Sequence, residues 1–262
     1  MEILDRIFRT FFDWESLIGV LPTMLQYAVW NTLLLALCAS VLGVILGMAL
    51  ALMSMSNKIW LKWPARTFIN VFRGLPAVLT ILVIGQGLSP LGLELWGPNP
   101  YPLGILALGL ISAAYIGEIF RSGIESVERG QFEASRALGM SHSSAMLKVV
   151  VPQGIRRVLP ALVNQFISNI KDSSLVYFLG LLTNQRELFR VGQDEAITTG
   201  NLSPLVTSGI MYLIITIPLT FLVGRIDRRL KDGKKVSVPV EDADTFDKYA
   251  DLVLTTTAKE SK

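Results

Sequence analysis

The chain has 262 residues, of which 51% are hydrophobic and 17% charged, and its formal net charge is +3. A soluble domain carries about 25% charged residues, so this composition argues against a soluble globular protein. The small net charge, without a dense basic stripe and interleaved aromatic residues, argues against a nucleic-acid partner. No charged residue occurs between Glu15 and Lys58, and a membrane-crossing helix needs only about 20 apolar residues.

We therefore predict an all-α, polytopic membrane protein with about five transmembrane helices. Residues 1–24 are expected to form an extracytoplasmic or interfacial lead-in, residues 25–232 the transmembrane domain, and residues 233–262 a cytoplasmic tail. The predicted crossings are, in chain order, residues 25–54, 74–95, 102–122, 158–182 and 204–224. The second is expected to be irregular at its outer end, which contains Gly85, Gly87 and Pro90. The fourth is the least apolar, because Lys171 and Asp172 lie in its middle.

Lysine and arginine residues in the short loops predict the orientation, because they accumulate on the cytoplasmic side of a membrane. The basic stretches are residues 58–73, residues 121–157 and the segment after residue 224. Five crossings place all three on one side. We therefore expect the N-terminus outside and the C-terminus in the cytoplasm.

Small residues recur at every fourth position in the first and third predicted crossings. They are Ala39, Gly43, Gly47 and Ala51 in the first, and Gly109, Ala113 and Gly117 in the third. Such ridges allow helix backbones to approach closely in lipid, so they are typical of helix–helix contacts rather than of a substrate site.

The long cytoplasmic loop at residues 121–157 is the most informative segment for function. A helix is predicted from Gln131 to Leu138, followed by a bend at Gly139 and a second helical run from Ser143 to Val151 that ends at Pro152. A compact helical protrusion of this kind suits docking into a groove of a partner protein.

Here the sequence resembles a known family, the "EAA-loop" membrane subunits of ABC importers. The loop matches the pattern E-A-A-x3-G-x9-I-x-L-P with Glu133-Ala134-Ser135, Gly139 and Val149-x-Val151-Pro152; serine replaces the third-position alanine, and valines replace isoleucine and leucine. Flanking motifs of the polar amino-acid branch match at Phe72-Arg73-Gly74-Leu75-Pro76, Tyr115–Ile124, Arg156-Arg157-Val158-Leu159-Pro160, Asn164-Gln165-Phe166 and Lys171-Asp172-Ser173-Ser174-Leu175. The resemblance covers roughly residues 25–232, and nothing carries over to the segment beyond.

The resemblance implies a permease subunit of a type I importer in a bacterial plasma membrane, surrounded by lipid. Its expected partners are a second permease subunit, identical or paralogous, two copies of an ATPase subunit and an extracytoplasmic solute-binding protein that delivers an amino acid. ATP and magnesium would be bound by the ATPase, so this chain is expected to hold no cofactor and not to be an enzyme. The residues implied to couple to the ATPase are Glu133, Ala134, Ser135, Leu138 and Gly139.

Charged groups inside a membrane span are costly, so they are candidates for function. An amino-acid zwitterion complements both Asp172, near its ammonium, and Lys171, near its carboxylate. Ser173 and Ser174 add hydroxyl groups at the same depth. The alternative is that these residues hold neighbouring helices together or form a gate.

Three further charged residues are structural or gate candidates. Glu118 and Arg121 stand three residues apart, which predicts a local ion pair at the end of the third crossing. Arg73, beside Gly74 and Pro76, is expected to be a positive-inside anchor or a gate element.

The sequence lacks the motifs that are typical of ATPases, hydrolases and metalloenzymes. The chain has no G-x4-G-K-[ST] loop, no G-x-S-x-G elbow and no H-E-x-x-H pair, and one histidine with one cysteine leaves little for a metal site. The alternative from a different class is a stand-alone secondary transporter or a channel, which would not need the cytoplasmic docking helix.

Overall fold

The structure is a computed structural model that describes residues 2–232, and every regular element in that range is helical. The predicted cytoplasmic tail at residues 233–262 lies outside the described residues. The α-helices are α1 (Glu2–Phe12), α2 (Trp14–Gly19), α3 (Leu21–Ser54), α4 (Ile59–Gly74), α5 (Ala77–Gly87), α6 (Ser89–Trp96), α7 (Tyr101–Glu125), α8 (Arg129–Ala137), α9 (His142–Ala145), α10 (Val151–Asp172), α11 (Leu188–Thr199) and α12 (Ser203–Asp232). Residues 1–226 form one compact unit, and the described part of the second unit is the end of α12.

Among the described residues, three helices are long and apolar enough to cross a membrane: α3, α7 and the Ser203–Arg228 part of α12. They coincide with the first, third and fifth predicted crossings. Helices α4 and α5, with a bend of 108° between them, form either a broken fourth span or a re-entrant loop. The prediction of an all-α, polytopic membrane protein is thereby confirmed, with three or four candidate spans within residues 2–232 against the predicted number of about five.

The second predicted crossing, residues 74–95, corresponds to α5 and α6. Helix α4 precedes it, and the helical path breaks at Leu75, whose ψ of 143° is extended. Pro76 explains the break, because proline lacks an N–H and disfavours a helical conformation in the residue before it. The outer end is irregular as expected, since α5 ends at Gly87 and α6 ends at Gly97, which has a positive φ of 64°.

The fourth predicted crossing corresponds to α10 and the 3₁₀ turn Ser173–Leu179 that follows it. The expectation that the preceding helical run ends at Pro152 was wrong. Helix α9, a π-helical turn (Met146–Val150) and α10 follow one another without a break, and Pro152 lies in the first turn of α10. In the π turn the Val151 N–H donates to the Met146 carbonyl, and this wider turn admits a proline that would clash in a regular helix.

The predicted ridges of small residues pack against each other where α3 crosses α7. A Cβ atom added at Gly43 would lie 2.6 Å from the Ser112 Oγ, and one added at Gly47 would lie 2.9 Å from the Gly117 backbone nitrogen. The two backbones therefore approach as closely as glycine allows, which confirms the prediction. Helix α10 packs on α7 in the same way, with Gly154 against the backbone of Ile124.

Candidate translocation cavity and docking loop

A cavity of about 300 Å³ lies where the break between α4 and α5 meets α7 and α10. It is lined by Phe72, Leu75, Ala77, Ile111, Tyr115, Gln165, Ser168, Lys171 and Asp172. The extended backbone at Leu75 and Pro76 interrupts the helical wall at this point, so that polar side chains of α10 face open space rather than a packed neighbour.

The structure brings two of the four predicted cargo residues to this cavity. Lys171 is exposed and Asp172 is half-buried, and both line it from the last turn of α10. The other two turn back to their own helix. The buried Ser173 Oγ donates to the Ile170 carbonyl at 2.7 Å, and the Ser174 Oγ donates to the Lys171 carbonyl at 2.7 Å.

Behind the cavity lies a buried polar network that the sequence did not single out. The Asn169 Nδ2 donates to the Ser40 Oγ at 2.7 Å and to the Ser112 Oγ at 2.9 Å, which joins α10 to both α3 and α7. The Gln165 Nε2 donates to the Asn169 Oδ1 at 3.2 Å, and Gln165 itself lines the cavity. The available signal was the polar pair at positions 165 and 169, one turn apart inside a predicted crossing.

Two of the gate candidates, Glu118 and Arg121, lie on α7, and the third, Arg73, lies at the end of α4. The Arg73 guanidinium lies 5.7 Å from the ring centre of Tyr115, a cavity residue. The predicted pair of Glu118 and Arg121 forms, with 3.0 Å from the Arg121 Nε to the Glu118 Oε2, and Arg121 also contacts Glu125 at 2.6 Å. Arg121 thus ties two successive turns of α7 together.

The docking loop, residues 129–140, divides the five predicted coupling residues between two faces. Glu133, Ala134 and Gly139 are exposed, and Leu138 is 86% exposed. Ser135 is buried, and the one hydroxyl hydrogen on its Oγ is shared between the Gln131 and Phe132 carbonyls, at distances of 2.9 and 2.8 Å.

The bend after α8 is a Schellman C-cap, which explains why glycine occupies position 139. Gly139 has a φ of 84°, a conformation that side-chain-bearing residues adopt at a cost. Its N–H donates to the Arg136 carbonyl at 3.0 Å, and the Met140 N–H donates to the Ser135 carbonyl at 3.2 Å. These bonds satisfy carbonyls at the end of α8 and hold Leu138 outward.

The inner face of the docking loop is packed on the helices that carry the spans. Phe132 contacts the cluster of Ile124, Val127, Val150 and Val151, which belongs to α7 and the start of α10. Apolar packing therefore joins the docking loop to the end of α7 and to the segment that leads into α10.

On the other side of the fold, Glu187 is fully buried at the start of α11. Its carboxylate accepts from the Phe189 N–H at 2.6 Å, the Arg190 N–H at 2.7 Å and the Tyr212 hydroxyl at 3.0 Å. Burial raises the pKa of Glu187 to about 7, and the three donors act in the opposite direction. Within residues 2–232 no cluster of three or more histidine, cysteine, aspartate or glutamate side chains could hold a metal ion.

Membrane-spanning helices, a polar cavity between them and an exposed docking loop define the permease class of transport proteins. The chain belongs to the family of binding-protein-dependent transport system inner membrane components, which it matches over residues 43–232. Two of its relatives are amino-acid transport permeases. It is 33% identical to the arginine transport system permease protein ArtQ of Bacillus subtilis, over 84% of this chain and 98% of that protein. It is 34% identical to the glutamine transport system permease protein GlnP of Escherichia coli, over 84% of this chain and 98% of that protein.

Solved structures show the same fold. The chain matches a crystal structure of an amino acid ABC transporter with histidines, at 34% identity and a TM-score of 0.72, over 82% of this chain and 97% of that one. It also matches the MetNI methionine ABC transporter in an inward-facing conformation, at 19% identity and a TM-score of 0.65, over 79% and 95%. The latter likeness concerns the fold alone.

Proposed function

We propose that this chain is the permease subunit of an ATP-driven importer, and that it moves a polar or charged amino acid into the cytoplasm by alternating access. The N-terminus lies outside and the C-terminus in the cytoplasm, which places the docking loop where an ATPase can reach it. Two ATPase subunits, which bind ATP and magnesium, a second permease subunit and a solute-binding protein complete the transporter.

The observation that carries this proposal is the exposed face of the docking loop. Leu138 projects a large apolar side chain into solvent at 86% exposure, next to Glu133 and Ala134. Exposed apolar anchors flanked by small and charged residues are typical of surfaces that bind a partner's groove. Because the inner face packs on α7 and α10, movement of the ATPase would be passed to the helices around the cavity.

The cavity supports an amino acid as cargo. Its two charged lining residues, Lys171 and Asp172, have the signs required to bind the carboxylate and the ammonium of a zwitterion. Its other lining residues include the apolar Phe72 and Ile111, which suit the aliphatic part of an amino acid. Arg73, Glu118 and Arg121 form the boundary on the docking-loop side and are proposed as a structural or gating layer.

The test is co-purification and uptake with a Leu138→Asp variant. Leu138 makes few contacts within the chain, so the variant should fold normally but lose at least about tenfold in association with the ATPase, along with uptake. Ile197→Asp, the same kind of change at an exposed apolar residue of α11, should keep the association. Uptake that persists in Leu138→Asp without any bound ATPase would contradict the proposal and favour a stand-alone secondary transporter or channel.

A further inference from the structure

We propose that the cargo of the cavity is an amino acid with an uncharged amide side chain, and that Gln165 is the residue that recognises this amide. The inference rests on the function proposed above, because it takes the cavity as the cargo site. It follows from the direction of the hydrogen bonds behind Gln165 and from the charges around the cavity.

The chain of hydrogen bonds starts at Ser40. A serine hydroxyl has one hydrogen to donate, and the Ser40 Oγ donates it to the Ala36 carbonyl at 2.6 Å. Toward Asn169 the Ser40 Oγ can therefore only accept. Asn169 must turn its NH₂ group to the serine side, where the Nδ2 lies 2.7 Å from the Ser40 Oγ and 2.9 Å from the Ser112 Oγ.

This arrangement orients Gln165 in turn. With its NH₂ group engaged by the serines, Asn169 presents its Oδ1 to Gln165, so Gln165 must donate, and its Nε2 lies 3.2 Å away. One N–H of Gln165 is then used, and the second N–H and the Oε1 remain. Gln165 lines the cavity and can offer this donor and this acceptor to another primary amide, which has the complementary acceptor and donor.

The charges around the cavity favour an uncharged side chain. Of its nine lining residues only Lys171 and Asp172 are charged, and the main chain of a zwitterionic amino acid uses both. The nearby Arg73 stacks on Tyr115 and acts electrostatically on Glu118. A charged cargo side chain would therefore be desolvated without a counter-ion among the lining residues, at a cost that an amide avoids.

The experiment measures equilibrium binding of labelled glutamine, asparagine, glutamate and arginine to the detergent-solubilised permease purified with its ATPase. The solute-binding protein is omitted, so that its own selectivity does not enter. We expect glutamine or asparagine to bind at least about tenfold more tightly than glutamate and arginine.

In Gln165→Glu, arginine should bind more tightly than glutamine and asparagine, because the carboxylate that replaces the amide supplies a counter-ion for the arginine side chain. The matched control is Gln86→Glu, the same change at an exposed glutamine of α5 that does not line the cavity, and it should keep the wild-type order. If Gln165→Glu does not yield a purified complex, the affinities of the four amino acids for the wild-type complex are sufficient to test the amide specificity.

Two results would overturn the inference, and only the second of them would also overturn the function proposed above. Binding of glutamate or arginine at least as tight as that of glutamine and asparagine refutes the amide specificity and leaves the proposed amino-acid importer intact. A complex that binds no amino acid in this experiment and takes none up when the solute-binding protein is restored refutes the importer itself.

Discussion

The contact between α3 and α7 makes Gly47→Ala a sharp test of the fold. The added Cβ would lie 2.9 Å from the Gly117 backbone nitrogen, 2.9 Å from the Ile116 Cγ2 and 3.0 Å from the Ala113 carbonyl oxygen. Two of these three atoms belong to the backbone, so a side-chain rotation cannot relieve the overlap. The two helices must move apart instead.

The magnitude follows from two opposing effects. Forcing a methyl group into a filled interface costs about 1–3 kcal/mol. Replacing glycine by alanine inside a helix gains about 1 kcal/mol from helix propensity. Gly209→Ala on α12 measures the helix-propensity effect without the steric effect, because a Cβ added there meets nothing within 4 Å. The free energies of unfolding of the two variants should therefore differ by about 1–3 kcal/mol, with Gly47→Ala the less stable.

The assay is thermal or denaturant unfolding of the detergent-solubilised permease, with wild type, Gly47→Ala and Gly209→Ala measured side by side. Gly209→Ala should equal or slightly exceed the wild type. Equal stability of the two glycine variants would refute the reasoning, since it would mean that the close approach at Gly47 carries no energetic weight.

Two further predictions concern the docking loop and the buried acid. In Gly139→Ala a residue with a side chain must adopt a φ of 84°, at a cost of about 1–2 kcal/mol. Limited proteolysis should therefore cut the docking loop faster than in the wild type, and association with the ATPase should weaken. Gly130→Ala in the same loop should behave as wild type, because nothing lies within 4 Å of its added Cβ. For Glu187, whose pKa is raised to about 7 from 4.5, the folded state binds the proton more tightly than the unfolded state, so stability should fall by up to about 3 kcal/mol as the pH rises from 4.5 to 7. Melting temperatures measured across that range should show this slope in the wild type and lose it in Glu187→Gln; a slope that survives the substitution would assign it to another group.

Much of the fold could be predicted from local composition. Apolar runs of sufficient length place α3, α7 and α12, because a membrane span is a property of consecutive residues. The ridges containing Gly43, Gly47 and Gly117 predict close helix contact, since lipid offers no hydrophobic advantage and only small residues permit such packing.

Predictions from local sequence patterns failed where the conformation of a neighbouring turn changes the usual effect of a residue. Pro152 ordinarily ends a helix, but the π turn before it allows the helix to continue into α10. Helix α4 was not predicted as an element of its own, because its basic residues lower its hydropathy, although it packs against α3 and α7.

The sequence by itself determined the class of protein, the approximate spans and the docking loop, because each depends on residues that are close together along the chain. Only the tertiary structure decided which polar groups meet. Ser40, Ser112 and Asn169 come from three different helices, and their hydrogen-bond network includes Gln165, which lines the cavity. Ser173 and Ser174 follow Asp172 directly, yet their hydroxyl groups bind their own helix. The direction of a side chain depends on its helix's rotation and neighbours, and these are set by packing across the whole bundle.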